Sequence, residues 1–397
     1  MKRVIPVVAR SRHKQLKVPK DSTKLVPVQP SIVDIRKQYA NEIAQLNKKL
    51  VEFEQTKSLK YSKIVEERLP VIQLIEKAIC RPNRSRLITV GSLATNLASE
   101  NKSDIDLCFL TEEPGFSHDF FNNYDFRITF MDSIIDQICA LKNLNPGLEL
   151  KKNVFPLYFA RVPLLMSSFT NDLAMDLQFV DSRYHAIRNT NMCRTYAAAD
   201  VRFRQVYFWL RTLLYALGMK NSKEGLLSSY HIMLLVIHFL QSKTNPPVLP
   251  VLSLTHPNLV GLKLTLEELL YRIEMPFNKL IDWKSDNQMT AGELVIDLIN
   301  YYAAFDPFSQ AIDIGKGRVE KKKRITNEHQ LELYDPYSPK TVASSREIPT
   351  AIKSTFQYIQ RQMQRGDLIN SFPHFPESRR FRYSMQHLEI TGRNFNK

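Results

Sequence analysis

The chain has 397 residues, 44% of them hydrophobic, with 55 Lys and Arg against 40 Asp and Glu, a net charge of +15. That length supports two domains with a sizeable core, and the excess of positive charge favours a polyanionic partner. Cys80, Cys108, Cys139 and Cys193 stand far apart without any Cys-x-x-Cys or Cys/His metal spacing, as in a reduced intracellular protein with ordinary core thiols. No apolar run reaches the length of a membrane span: the densest, Ile232 to Ile237, is soon interrupted by His238 and Gln241.

Residues 1–30 are basic, punctuated by proline and aperiodic, which predicts a disordered tail. The stretch before Asp21 lacks acids and weakly resembles a transit peptide; a disordered RNA-binding arm fits it equally. Ser31 with Asp34 suits a helix cap, and Ile35, Tyr39, Ile43, Leu46 and Leu50 follow near helical spacing to about residue 55. A second helix is expected over 62–79 with Ile64, Leu69, Ile72, Ile75 and Ala78 inward, kinked or divided at Pro70. After a turn at Pro82-Asn83, residues 86–92 read as a short buried strand ending at a glycine turn. Residues 103–110 read as a neighbouring strand. A loop at 114–124, a helix at about 129–142 and strands at 155–162 and 173–180 complete an α/β layer. A long helical region follows, with helices at 196–218, 228–242, 264–273 and 290–303; Pro246-Pro247 and Pro250 terminate one of them.

The chemistry gathers in the α/β layer. Side chains on a strand alternate, so Asp104 and Asp106 share a face. Two carboxylates there repel unless a cation lies between them, and Mg²⁺, which binds through one or two carboxylates plus substrate phosphates, is the natural one. Gly91 lets backbone approach a phosphate closely, and Ser92 adds a hydroxyl and an N–H. On the later strand Met175, Leu177 and Phe179 form an apolar face and Ala174, Asp176 and Gln178 the other. Asp176 is then the third ligand of a two-metal platform for phosphoryl transfer. Two basic clusters stand outside this layer. The run from Lys316 to Arg324 reads as a solvated loop, a phosphate-binding patch or a nuclear import signal. Arg379-Arg380-Phe381-Arg382-Tyr383 interleaves cations and aromatics, as suits single-stranded bases or an ordinary surface segment.

In their order these motifs resemble the cytoplasmic-type poly(A) polymerases and terminal uridylyltransferases of the DNA polymerase β-like nucleotidyltransferase superfamily, nearest to the germline-development type. The matches spread over residues 35–360. Gly91-Ser92, Asp104 and Asp106 resemble the catalytic signature, and Asp176 the third carboxylate. Ala186-Ile-Arg-Asn189-Thr190 resembles the segment that contacts the nucleotide's sugar and base. Gly225-Leu-Leu-Ser228-Ser229-Tyr230 is similar to Gly-Thr-Leu-Ser-Ser-Tyr, where the resemblance implies that Ser229 touches the triphosphate and Tyr230 stacks on the base. Thr290 to Asp306 resembles the poly(A)-polymerase-associated region, and Asp335-Pro336-Tyr337 the Asp-Pro-Phe of the base-reading loop. The chain departs from the pattern in two places. Arg211 and Tyr215 stand where the family carries lysines for the triphosphate, and Val180-Asp181 stands where it shows an asparagine pair. The uridylyltransferases' base-reading histidine corresponds to Thr341, which favours ATP over UTP.

The resemblance implies an α+β, bilobal protein, with a mixed-sheet catalytic domain at 61–185 and a mostly helical central domain at 186–390 onto which the 31–60 helix packs. The activity it implies is metal-dependent addition of AMP from ATP to an RNA 3′ end. Asp104, Asp106 and Asp176 would hold Mg²⁺ or Mn²⁺. Gly91, Ser92, Ala186, Asn189, Thr190, Arg211, Ser229, Tyr230, Asp335 and Thr341 would bind the nucleotide. An RNA-binding protein partner is expected to supply specificity, no membrane contact is expected, and the expected location is the cytoplasm, with nucleus or mitochondrion as alternatives. The alternative functions are uridylyl transfer, a catalytically weak scaffold that binds RNA or protein, and, more distantly, a small-molecule nucleotidyltransferase.

Overall fold

The computed structural model describes residues 34–98, 104–141, 150, 153–170, 173–322 and 329–376. The expected tail at 1–30, the Ser31 cap and the Arg379–Tyr383 cluster lie outside the described residues. The first elements are helices α1 (Ile35–Gln38) and α2 (Ala40–Ile79). Instead of two helices the chain forms one of 40 residues, with Pro70 inside it. Proline costs a helix one hydrogen bond and a steric clash. Here Ile64, Arg68, Val71 and Ile75 are buried on either side of it, and that burial offsets the cost. Leu69, expected inward, is 48% exposed, and the buried stripe runs through Arg68 instead.

A five-stranded sheet follows. Its strands are β1 (Ser85–Val90), β2 (Ile105–Thr111), β3 (Phe155–Leu157), β4 (Leu164–Ser168) and β5 (Ala174–Phe179), in the order β1-β2-β5-β4-β3. Strands β2 and β5 pair in parallel and the other neighbours antiparallel. The short helix α3 (Gly91–Ala94) leaves β1 directly, and α4 (Phe116–Asn122) and α5 (Tyr124–Ala140) follow β2. Helix α4 occupies the segment expected as a loop. Phe116 and Phe120 lie one turn apart and are both buried, with rings 5.5 Å apart, so a helix alone puts both into the cluster that Phe109, Phe130 and Phe179 complete. Helix α5 begins five residues earlier than expected, because the Asn123 side chain caps it by accepting from Phe126 N–H. The strand expected at 155–162 ends at Leu157, and β4 was not foreseen.

One sheet face, with Ile105, Leu107, Phe109, Met175, Leu177 and Phe179, packs with Ile75, Ile79, Phe120 and Ile134 of α2, α4 and α5. The other face carries Ile88, Val90, Cys108 and Leu110 and packs with Ile187, Leu269 and Leu270. Those three residues belong to the helical part. It consists of α6 (His185–Ala199), α7 (Val201–Ala216), α8 (Ser229–Ser242), α9 (Leu252–Thr255), α10 (Pro257–Val260), α11 (Leu266–Glu274), α12 (Ala291–Ala304) and α13 (Ile348–Gln364). The long helix expected from 196 is divided at Asp200, whose side chain caps α7 by accepting from Arg202 N–H.

A small second sheet, β6 (Gln310–Asp313), β7 (Arg318–Lys321) and β8 (Glu332–Tyr334), was also not foreseen. Its strand β7 takes up Arg318 to Lys321 of the basic run. Lys316 pairs with Asp313 at 2.9 Å and Glu320 at 3.2 Å, and Arg318 pairs with Glu320 at 2.7 Å. Among the described residues no helix is long and apolar enough to cross a membrane.

Candidate active site

The parallel pairing of β2 with β5 sets Asp106 directly opposite Asp176, and Asp104 stands just ahead of β2. Burial pushes the Asp106 carboxyl up to about 7. Repulsion from Asp176 and then Asp104 adds to this, and the Ser92 N–H draws it back. Gly91 explains how backbone comes so near. Its φ is +66°, which side-chain-bearing residues rarely adopt, and a Cβ there would lie 2.2 Å from Asp106 Oδ2. Gly91 N–H also donates to Thr190 Oγ1 at 3.3 Å, tying the catalytic sheet to α6.

A cavity of about 570 Å³ opens over this corner. Gly91, Ser92, Asp104 and Asp106 line it from the sheet side, Ala186, Asn189 and Thr190 from α6, Arg211 from α7, and Ser229 and Tyr230 from the start of α8. Residues dispersed over 140 positions of sequence thus share one wall-to-wall space. Asn189 Oδ1 is buried without a hydrogen-bond partner. Such an acceptor costs roughly 1–3 kcal/mol unless a ligand supplies a donor. Cys193 also lines the cavity, and burial pushes its thiol up to about 12, so it is a neutral wall atom and no nucleophile.

Three expected site residues stand elsewhere. Asp176 is beside Asp106 but outside this lining. Asp335 borders a separate groove of about 1100 Å³. Its Oδ2 accepts from Tyr230 Oη at 3.1 Å and its Oδ1 from Tyr337 and Ser338 N–H at 2.9 Å each, so it fixes the Tyr230 ring and shapes its own loop. The Thr341 hydroxyl donates to Leu331 O at 2.6 Å and accepts from Leu333 and Ala343 N–H at 3.1 Å each. With its hydroxyl engaged by backbone, Thr341 braces its loop in this structure.

The segment 335–343 is held from several sides. His185 Nδ1 lies 3.0 Å from Asp181 Oδ1 and its Nε2 3.2 Å from Tyr337 O, so both ring nitrogens face acceptors. The hydrogen bond to Asp181 raises the His185 pKa, against the opposing effect of burial. His231 differs. Its Nδ1 accepts from Ser228 N–H at 3.2 Å, closing the α8 capping box, so its Nε2 is left to donate to Val342 O at 3.0 Å. Burial lowers its pKa, and the neutral ring fits both contacts. Arg161 donates to Thr341 O at 3.2 Å from the sheet side.

The donor set suits a divalent cation: three mutually repelling carboxylates beside a glycine that admits a close phosphate. They are neighbours and not a closed cage. Among the described residues no group of three His, Cys, Asp or Glu side chains is assembled to hold a metal ion.

Known proteins are similar to this chain in sequence and in fold. The family model described as "Poly(A) RNA polymerase, mitochondrial-like, central palm domain" matches residues 44–198, which include Gly91, all three aspartates and Thr190. Poly(A) RNA polymerase gld-2 homolog A of Drosophila melanogaster is 31% identical over 239 residues, 59% of this chain and 16% of that relative. Residues 44–198 are thus similar to that central palm domain, and the chain resembles the poly(A) RNA polymerases, of which it spans only a small part. Its fold is that of the GLD-2/RNP-8 complex structure, at 22% identity and a TM-score of 0.64, covering 84% of this chain and 99% of that one. The Cid1 poly(U) polymerase crystal structure shares it as well, at 22% identity and a TM-score of 0.57, over 79% of this chain and 93% of that one. Tyr215 is 70% exposed and lies outside the cavity lining. Lys220, which the sequence reading passed over, is in that lining.

Proposed function

We propose that this chain is a template-independent RNA nucleotidyltransferase that adds AMP from ATP to RNA 3′ ends. The observation that carries the reading is the placement of Asp106 opposite Asp176 at the corner of a cavity whose far walls bear Asn189, Arg211, Ser229 and Tyr230. The gld-2 relatives are named poly(A) RNA polymerases, which supports the same choice. Two lobes divide the work: a catalytic one over 61–185 and a helical one over 186–390, with the 31–60 segment packed on the second.

In this mechanism Ser92, Ser229 and Arg211 bind the triphosphate, Tyr230 stacks on the base, and Asn189 and Thr190 face the sugar and base. The RNA 3′-hydroxyl oxygen attacks the α-phosphorus, the bond to the bridging oxygen of the β-phosphate breaks, and pyrophosphate leaves. Asp176 accepts the hydroxyl proton. Asp104, Asp106 and Asp176 would hold Mg²⁺ or Mn²⁺, which when bound neutralises the carboxylates and the charge that develops on phosphate oxygens. ATP is favoured over UTP because the position expected to read uracil, Thr341, is bonded to backbone.

Basic surface supplies RNA affinity without sequence information. A protein partner is therefore proposed to select the RNA, as the solved GLD-2 complexes with RNP-8 and GLD-3 support. The cytoplasm is the proposed location. The test is incubation of the purified chain with a labelled oligo(A) primer and each nucleoside triphosphate in turn. Extension with ATP, lost in Asp104→Ala and Asp106→Ala with circular dichroism unchanged, is expected. Preference for UTP would replace the reading with uridylyl transfer, and no extension with any triphosphate, with or without partner, would leave a scaffold.

A further inference from the structure

Helix α7 brings Arg211 to the cavity, but one turn later Tyr215 is 70% exposed and contributes nothing to the lining. A triphosphate carries several negative charges, and this cavity already holds Asp104 and Asp106. A single guanidinium beside two carboxylates leaves the space short of positive charge. The next residues correct that. Helix α7 is capped at Leu217, and Gly218, at φ +74°, turns the chain back. Met219 and Lys220 N–H both donate to Leu214 O, at 2.8 and 3.1 Å. Met219 is fully buried, and its carbonyl accepts from Leu227 N–H at 3.1 Å. Backbone bonds thus fix residue 220 between the end of α7 and the start of α8, and its side chain shares the cavity wall with Arg211 and Ser229. Among the described residues Arg211 and Lys220 are the cationic side chains of that wall.

We infer that Lys220 is the second triphosphate-binding cation of this chain, supplied from the α7–α8 connection instead of from position 215 on α7. The inference rests on the nucleotidyltransferase reading above. An ammonium is a compact point charge with three donors on a flexible stem, and it can serve phosphate oxygens from a different start point than a lysine on the helix would use. The hydroxyl and N–H of Ser229, at the first turn of α8, complete the polar side of the same wall.

The experiment is equilibrium binding of ATP with Mg²⁺ to the full chain, together with steady-state extension of an oligo(A) primer. Loss of one charge-assisted contact predicts about tenfold weaker ATP binding for Lys220→Ala. The ATP KM should rise by a similar factor while affinity for the primer stays unchanged. Lys220→Arg keeps the charge and should stay within about threefold of wild type, and Tyr215→Ala should bind ATP as wild type does. Unchanged ATP affinity in Lys220→Ala overturns the inference. So does an equal loss in Lys220→Arg, which would mark bulk and not charge as the cause, and so does a comparable loss in Tyr215→Ala. A wild-type chain that binds no nucleoside triphosphate removes the nucleotidyltransferase reading itself, a result distinct from all three.

Discussion

At the scale of single residues, the site depends on one glycine and one carboxylate pressed together. Any side chain at 91 would meet the Asp106 carboxylate, with a Cβ 2.2 Å from Oδ2 and 2.8 Å from Cγ. Asp106 cannot simply retreat, because Asp176 stands across the ladder from it. Gly91→Ala should therefore lower primer extension by at least about 100-fold, the scale set by small misplacements of reacting groups. The strained φ should cost about 1–3 kcal/mol of stability. Extension kinetics and chemical denaturation read the two effects separately, and wild-type activity in this variant would remove Gly91 from the machinery. The aspartate has the opposite balance. Asp106 is a buried acid that two other carboxylates repel, so Asp106→Asn should abolish extension and raise the thermal midpoint of the metal-free protein at pH 8. A lowered midpoint would show that the carboxylate is satisfied by contacts other than a cation.

At the scale of elements, two histidines hold the segment after β8, and their pKa values are moved in opposite directions. His185 bonds two acceptors and its pKa is raised above the ordinary 6.5. Its contribution to stability is present in full below 6.5 and is lost as pH rises through the folded value. Asp181, its partner, is pushed up by burial but brought below 3.8 by the hydrogen bond and charge of His185. The aspartate's share is therefore lost only in strong acid, as pH falls through that lowered value. His231 has its pKa lowered from 6.5 by burial, so the unfolded chain takes up the proton first, and its contribution is full above 6.5 and falls below it. The melting-point deficit of His185→Gln should thus shrink from pH 5.5 to 9, by an amount worth about 1 kcal/mol once screening of a part-exposed pair is allowed for. That of His231→Gln should shrink in the other direction. Parallel trends in the two variants would contradict the opposite directions of the two shifts.

The His185 and His231 contacts to the segment after β8 were not legible in the sequence, whereas the strands bearing Asp106 and Asp176 were. Period-2 alternation between Met175-Leu177-Phe179 and Ala174-Asp176-Gln178 is a local signal. Helix α4 was hidden because its apolar pair, Phe116 and Phe120, is too short a pattern to rise above the flanking Gly and Asn. Strands β6, β7 and β8 have three or four residues each, below the length at which alternation shows. Lys220 escaped because its place is set by the αL turn at Gly218 and by two bonds to Leu214 O. Periodicity carries no record of such backbone facts. Gly218 with a lysine two residues on, just past a helix end, was the available hint.

At the scale of the whole molecule, α2 joins what the site needs kept in register. Its first half buries Ile43, Leu46 and Leu50 in the helical core, and its second half buries Ile64, Val71, Ile75 and Ile79 under the catalytic sheet. The middle is pinned to α7 by Glu54 and Arg204, 2.6 Å apart and almost fully buried. Just ahead of α2, Arg36 of α1 pairs with Asp297 of α12, and in the first half of α2 Lys49 Nζ donates to Asn370 O at 2.6 Å. The cavity draws walls from both cores, so a rigid element crossing between them fixes Asp106 relative to Tyr230. The charge of the surface plays a different part. With Lys316 and Arg318 paired to Asp313 and Glu320, replacing that pair of cations by serine should leave the salt dependence of RNA binding nearly unchanged, a result that log–log salt titration checks.

The long helix leads to a further expectation about cooperativity. Chains of this size often unfold in steps, domain by domain. If α2 were two helices, broken between Leu50 of one core and Ile64 of the other, a defect in one core would leave the other's transition in place. Because it is one helix, melting either half removes a wall of the other core. Leu46 and Ile75 are both fully buried, one in each core, and truncating either to alanine should cost about 2–5 kcal/mol. Leu46→Ala and Ile75→Ala should each lower a single calorimetric transition by a similar amount. Both should weaken ATP binding before global unfolding sets in, since each loosens the same bridge across the cavity. Two resolved transitions, each moved by its own substitution alone, would show that α2 does not couple the two cores and that the cavity is held together by the Gly91–Thr190 and Arg161–Thr341 contacts instead.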